Sequence, residues 1–296
     1  YTDDDGNTTG EDFKGENLIT GTIKGVAENR TPTVYFLSGH GEKSLDSYTK
    51  FTTNLTNYNY AAKELNLSET DSVPDDAALV LVAAPSKDIT DAEAEKLNAY
   101  LDNGGNISLL MSPNGGAFAY TNLEAIMKDY GFYMDYDRVS ETNSNYHISG
   151  DKYTIQCELN ELDDDSEATD LTSSLLNQGL YTFMPESRSF RYNNEGGKYT
   201  IAPLITTYDS AEGEPYGGVS DDPEKQSGQM LLAADSTSIA RNDSKMVVFG
   251  NAEFIADEHV SDDTVIVPVY LFLSTISWMY DSDIDMEIST KSTTND

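Results

Sequence analysis

The sequence contains a single cysteine, Cys157, and only three histidines in 296 residues. One thiol excludes an internal disulfide and any zinc site built from cysteines. Cys157 lies in the alternating stretch Tyr153-Thr-Ile-Gln-Cys157-Glu-Leu159, which reads as a strand in which the thiol is a small buried hydrophobe. Basic residues are scarce as well: 18 Lys and Arg face 52 Asp and Glu, for a formal charge of -34. With no basic cluster to neutralise phosphates, nucleic acid is excluded as a partner, and the same surplus of negative charge keeps the chain off anionic lipid head groups. Such a surface is first of all a solvated one, although it attracts cations or a basic partner. Long apolar runs are missing too. The longest, residues 77–85 and 265–273, fall far short of the roughly 20 needed to span a bilayer. The sequence opens on Tyr1 with neither a basic nor an apolar leader, so any signal or membrane anchor is expected to lie outside it.

Hydrophobic residues make up 38% of the sequence and aromatics 10%, enough to build a core. Residues 1–12 are polar and aperiodic, an expected disordered tail. Leu18, Ile19, Ile23 and Val26 recur at helical spacing and predict a short helix. A unit of strand, turn and helix then repeats. Residues 34–37 form a short apolar run, and Leu45, Tyr48, Phe51, Leu55 and Tyr58 mark a helical face behind it. A weaker strand is expected over residues 60–67, and a strong one over residues 77–84, whose apolar character on both faces suits the middle of a parallel sheet. Thr90 and Glu93 have the spacing of a capping box, and the helix they open should stop at Asn103-Gly104-Gly105. Residues 107–111 predict another strand, 121–130 a helix and 132–139 a further strand. Residues 140–228 change character, to short strands and acidic loops such as Asp163-Asp-Asp165, and read as a mixed β excursion or subdomain. Regular α/β character returns at residues 230–234 and 245–250, followed by a helix near residues 268–279 that is apolar nearly all round and should be buried. The fold class is therefore α/β, a mostly parallel sheet with flanking helices, because parallel strands need crossovers and helices supply them.

Several stretches taken in order carry a family resemblance. They are Phe13-Lys-Gly-Glu16 with residues 18–23, Val34-Tyr-Phe-Leu-Ser-Gly-His-Gly-Glu42, residues 79–85 with Asp88-Ile-Thr-Asp-Ala-Glu93, Tyr100-Leu-Asp-Asn-Gly-Gly105, and Val247-Val-Phe-Gly-Asn-Ala-Glu-Phe254 with residues 273–278. Together they resemble the gliding-associated (GldG-like) ABC transporter auxiliary family. The resemblance implies a flavodoxin-like, glutamine-amidotransferase-like core without catalysis, occupying residues 13–288. It also implies a position on the extracytoplasmic face of the bacterial cytoplasmic membrane, reached through anchors outside this segment, with residues 289–296 leading toward one. The partners it implies are an ABC permease and an ATPase.

The chemistry legible in the residues is sparse. Ser112 follows a strand, where a nucleophile elbow could stand, but Pro113 lacks the N–H on which the elbow's oxyanion hole relies. No triad spacing links His147 or His259 to a nucleophile. The alternative function, a divergent hydrolase acting on a glycan or peptide at the cell surface, therefore has no catalytic residue to name. Asp281, Asp283 and Asp285 alternate as in a calcium loop, but Met286 stands where the turn glycine is required. The Walker sequence and the dinucleotide glycine fingerprint are both absent, and no cofactor is expected. The candidate ligand site is His40, Glu42, Asn251 and Glu253. Open α/β sheets bind ligands beyond the carboxyl ends of their strands, and both loops fall there if the late strand runs parallel to the first. Two readings stay open: a site for a small polar ligand, a partner segment or a weakly held cation, or residues that merely cap the following helix and fasten the turn.

Overall fold

The computed structural model describes residues 31–162, 166–194, 197–219 and 225–280. The N-terminal tail, the helix expected near residues 18–26, the acidic triplet 163–165, the calcium-like aspartates 281–285 and the C-terminal segment 289–296 all lie outside them. The first repeat gives strand β1 (Thr33–Leu37), a 3-10 turn (Leu45–Tyr48), helix α1 (Thr49–Asn57) and strand β2 (Ala61–Leu65). Strand β3 (Ala77–Ala83) leads to helix α2 (Asp91–Asp102), then β4 (Ile107–Leu110) and α3 (Thr121–Lys128). The capping box of α2 is formed, Thr90 accepting from the Glu93 amide while the Glu93 carboxylate accepts from the Thr90 amide. The helix ends before Gly104, whose φ of +84° is the left-handed geometry that glycine adopts without strain.

The stretch 132–139, expected as one strand, is two. β5 (Phe132–Met134) and β6 (Asp137–Glu141) belong to different sheets. The break falls at Asp135 and Tyr136, because the Asp137 carboxylate takes both the amide and the hydroxyl of Ser189, at 2.9 and 2.7 Å, and draws the chain aside. After it come β7 (His147–Ile148), β8 (Asp151–Leu159), a single helical turn α4 (Ser173–Leu176), β9 (Thr182–Met184), β10 (Phe190–Tyr192), β11 (Tyr199–Thr207), β12 (Ala211–Pro215) and β13 (Gln226–Ser227). The chain then re-enters the main sheet as β14 (Leu231–Ser238) and β15 (Ser244–Phe249), and α5 (Ile266–Met279) follows.

The main sheet runs β2-β1-β3-β4-β15-β14-β11-β8-β7. Its first five strands are mutually parallel. Renumbered among themselves they read 2-1-3-4-5, the flavodoxin-like order. From β15 onward each neighbour is antiparallel. The excursion is thus not a separate appendage: β8 and β11 extend the sheet, while β6, β12 and β13 make a small second one. The late run read as regular α/β splits at this seam, with β15 parallel to β4 and β14 antiparallel to β15.

Both faces of the parallel half are buried, as the strands' composition requires. In β1, Val34 and Phe36 join one apolar cluster with α1 and α5, while Tyr35 and Leu37 join the other with α2 and α3. Helix α5 is apolar around most of its circumference because it lies between the sheet and flanking segments, with Leu271, Phe272, Leu273 and Ile276 all buried. Cys157 is buried in the same cluster, and burial pushes its thiol far above the usual range. Among the described residues no helix is long and apolar enough to cross a membrane.

Candidate functional site at the carboxyl edge of the sheet

Flavodoxin-like sheets leave a crevice between β1 and β3, where the chain switches direction across the sheet. Here that crevice is bridged. The His40 carbonyl accepts the amides of Ser86 and Lys87 at 2.8 and 3.2 Å and the Ser86 hydroxyl at 3.1 Å. Gly41 makes this approach possible, since a Cβ built on it would come 1.8 Å from the Ser86 hydroxyl, and its φ is +86°.

The His40 side chain is buried and held at both nitrogens, with Glu42 3.2 Å from Nδ1 and Glu93 3.0 Å from Nε2. Glu42 also accepts the His40 amide at 2.7 Å. Glu93 thus serves twice, capping α2 and holding His40, and this second role cannot be read from the capping-box spacing. The hydrogen bond that Glu42 accepts does most to lift His40 above its ordinary value; burial opposes it, and Glu93 adds to the lift. For Glu93, burial works upward, but the Thr90 hydroxyl and amide together with His40 hold the carboxylate below its ordinary value. When protonated, His40 bridges two carboxylates inside the protein, which is the paired arrangement that buried charge requires.

Asn251 and Glu253 stand beyond the end of β15. Asn251 is buried, donates to the Glu186 carbonyl at 2.6 Å and accepts the amides of Glu253 and Phe254 at 2.5 and 3.3 Å. Glu253 is half-exposed and pairs with Lys43 at 2.5 Å, so the β1 and β15 loops do meet, through Lys43. Three of the four expected site residues are interior groups with partners of their own, and Glu253 alone reaches the surface. Glu253 also lies with Glu258 and His259 in a group whose ligand atoms fall within 4.8 Å of one another. Lys43 already neutralises Glu253 there, and a cation would have to displace it.

Ser112 is held as well: its hydroxyl accepts the Ala252 amide at 3.0 Å and its carbonyl accepts Arg188 Nη2 at 3.0 Å. Arg188 escaped the sequence reading. It lies between β9 and β10 in Pro185-Glu-Ser-Arg188-Ser, where no periodicity sets it apart. Its backbone docks on the β15 loop, the amide donating to the Gly250 carbonyl at 3.0 Å, and a Cβ on Gly250 would strike the Arg188 carbonyl at 2.1 Å. A basic residue between two serines, in so acidic a sequence, is the only signal that could have drawn attention to it.

Known proteins share both the sequence pattern and the fold. A sequence profile described as ABC-type uncharacterized transport system, an auxiliary-protein profile, matches residues 31–266. The chain belongs to that family. No curated protein matched the sequence. Among solved structures, one described as "mmIFT52 N-terminal domain" superposes with a TM-score of 0.63 at 17% identity, covering 86% of this chain and 100% of its own. At that identity the likeness is one of fold alone. A putative ThuA-like protein from Bacteroides uniformis has a TM-score of 0.47 at 14% identity, covering 84% of this chain and 91% of its own. A putative GMP synthase component from Thermoplasma acidophilum has 0.40 at 8%, covering 85% and 96%. Both are too distant to bear on chemistry. The family places this chain among ABC transport auxiliary proteins, and the flavodoxin-like order of its parallel strands is visible in the sheet itself.

Proposed function

We propose that this chain is a binding and interaction domain without catalysis of its own, working at the extracytoplasmic face of the cytoplasmic membrane beside an ABC permease and its ATPase. The observation that carries the reading is the bridged crevice between β1 and β3. Where related sheets keep an open site, this one spends its polar groups on itself: His40 on Glu42 and Glu93, Ser112 on the Ala252 amide and Arg188. A general base needs a free nitrogen within reach of a proton to abstract, and a serine nucleophile needs a base and an oxyanion hole beside it. Neither group is placed for such work, and Pro113 supplies no amide. Partner contact then falls to the rim, where Lys43 and Glu253 are the half-exposed members of the joined β1 and β15 loops. His40, Glu42 and Asn251 hold that rim in shape from below.

The test is crosslinking of the membrane-tethered protein in its native cells with identification of what comes with it. The expected result is recovery of a permease and an ATPase. Recovery of neither, together with turnover on a panel of glycans and peptides, would overturn the reading in favour of a hydrolase.

A further inference from the structure

Arg188 is fully buried, yet Nε and Nη1 of its guanidinium have no hydrogen-bond partner among the described residues. Only Nη2 is engaged, by the Ser112 carbonyl. A guanidinium carries five N–H donors and keeps its charge, so leaving most of them unmet in the interior is costly. Two parallel tyrosine rings flank it, Tyr120 at 5.7 Å and Tyr136 at 5.5 Å from ring centre to guanidinium carbon, with the rings themselves 6.5 Å apart. Each contributes a cation–π attraction, which is weaker than an ion pair. The place is fixed from every side. The Tyr120 hydroxyl donates to the Pro85 carbonyl past β3, Ser112 stands past β4, and Gly250 past β15. The guanidinium thus lies at the carboxyl edge of the parallel strands, beside the seam where the sheet turns antiparallel. Ser112 and Tyr136, which touch it, and Asn114, which bonds the Tyr120 hydroxyl, are only half-buried.

We infer that Arg188 anchors a binding site for the carboxylate of a small organic acid, seated between the Tyr120 and Tyr136 rings and the Ser112 turn. A carboxylate is planar, as the guanidinium is, and meets it edge to edge through two parallel N–H bonds. The surroundings favour a single negative charge. Asp137 and Glu124 already act on Arg188 from a distance without pairing with it, so a monoanion balances the arginine whereas a phosphate dianion would overshoot it. This deepens the proposed binding role by naming a ligand class, but its test needs no transporter. Failure to recover a permease would leave the site standing, and failure of the site would leave the transport association standing.

The probe is acetate, added to the purified chain with inorganic phosphate and chloride at matched ionic strength in parallel. The signal is the side-chain Nε–H resonance of Arg188 in the wild-type NMR spectrum, identified as the arginine signal lost in R188K, or by selective labelling if that variant does not fold. Acetate should move this resonance in a saturable way at millimolar concentration, and should raise Tm in parallel in wild type but not in R188K. Phosphate and chloride should do neither. No saturable shift with acetate overturns the proposal. So does a shift produced by phosphate alone, or an equal response to all three anions that tracks only ionic strength.

Discussion

The parallel and antiparallel halves of the sheet handle buried charge in opposite ways. In the parallel half, the interior ionisable groups at the carboxyl edge are matched to one another: His40 lies between Glu42 and Glu93, and Glu93 also caps a helix. On β14 and in the excursion that precedes it, Asp235 Oδ2, Glu141 Oε2 and two nitrogens of Arg188, whose guanidinium reaches the seam with the parallel strands, are buried with no hydrogen-bond partner among the described residues. Burial pushes the Asp235 carboxyl well above the usual range, opposed only by the charge on Lys245. Self-satisfied polar groups add rigidity and specify one arrangement, whereas unmet ones cost stability and are retained where something else meets them. The first half reads as frame, and the unmet groups of the second mark where the interior still lacks partners.

The largest effect expected from breaking this contrast is in the frame. Leu81→Ala removes a fully buried side chain from central strand β3 and should cost about 3–4 kcal/mol, against about 2 kcal/mol for Ile155→Ala on outlying β8, where the sheet can relax around the gap. Equal losses in urea denaturation would erase the distinction between a rigid and a yielding half.

Next in size is the histidine clamp. His40→Gln should cost about 3 kcal/mol, since it removes the imidazole that both interior carboxylates bond. The pH dependence has a definite sign. His40 is raised in the folded state, so its contribution is complete below its ordinary 6.5 and fades as pH climbs through the folded value. Glu93 is lowered, so its contribution is complete above its ordinary 4.5 and fades as pH falls through the folded value. Wild-type stability measured across pH should therefore lose this contribution on both sides of that window, and the alkaline slope should flatten in H40Q. An unchanged alkaline slope in H40Q would mean the imidazole is neutral when folded.

A smaller pair of substitutions sharpens the contrast directly. Glu93→Gln in the paired half should destabilise the protein at neutral pH, whereas Asp235→Asn in the unmatched half should stabilise it by on the order of 1 kcal/mol, about 2–4 °C in Tm for a domain of this size. If both lowered Tm, Asp235 would be a paired charge after all. The smallest effect belongs to the rim: Lys43→Ala should change stability by less than about 0.5 kcal/mol, as half-exposed ion pairs do, while reducing capture of the permease and ATPase.

How far the sequence anticipates this arrangement follows the same division. β1, β3 and β4 are legible because a strand buried on both faces must be apolar throughout, and α2 because its cap and its glycine stop are local chemistry. The break between β5 and β6 is not legible, since it depends on Asp137 meeting Ser189, a residue 52 positions away. The antiparallel strands hide for a related reason: β11 carries Pro203 inside it, tolerated where its register with β14 slips. At the site, the neighbouring glycines and the spacing of His40 and Glu42 were enough to mark the turn. The second carboxylate, Glu93, came disguised as a capping residue, and Arg188 gave no periodic signal because a long-range backbone contact with Gly250 positions it.

The clamp at His40 is frame, and the unmet charge at Arg188 is where a ligand is received. That division is tested most directly by measuring the acetate-induced rise in Tm in H40Q and R188K side by side with wild type. H40Q, though less stable, is expected to keep the full acetate response with an unchanged half-saturation, and R188K to lose it. An acetate response abolished in H40Q and retained in R188K would contradict the division.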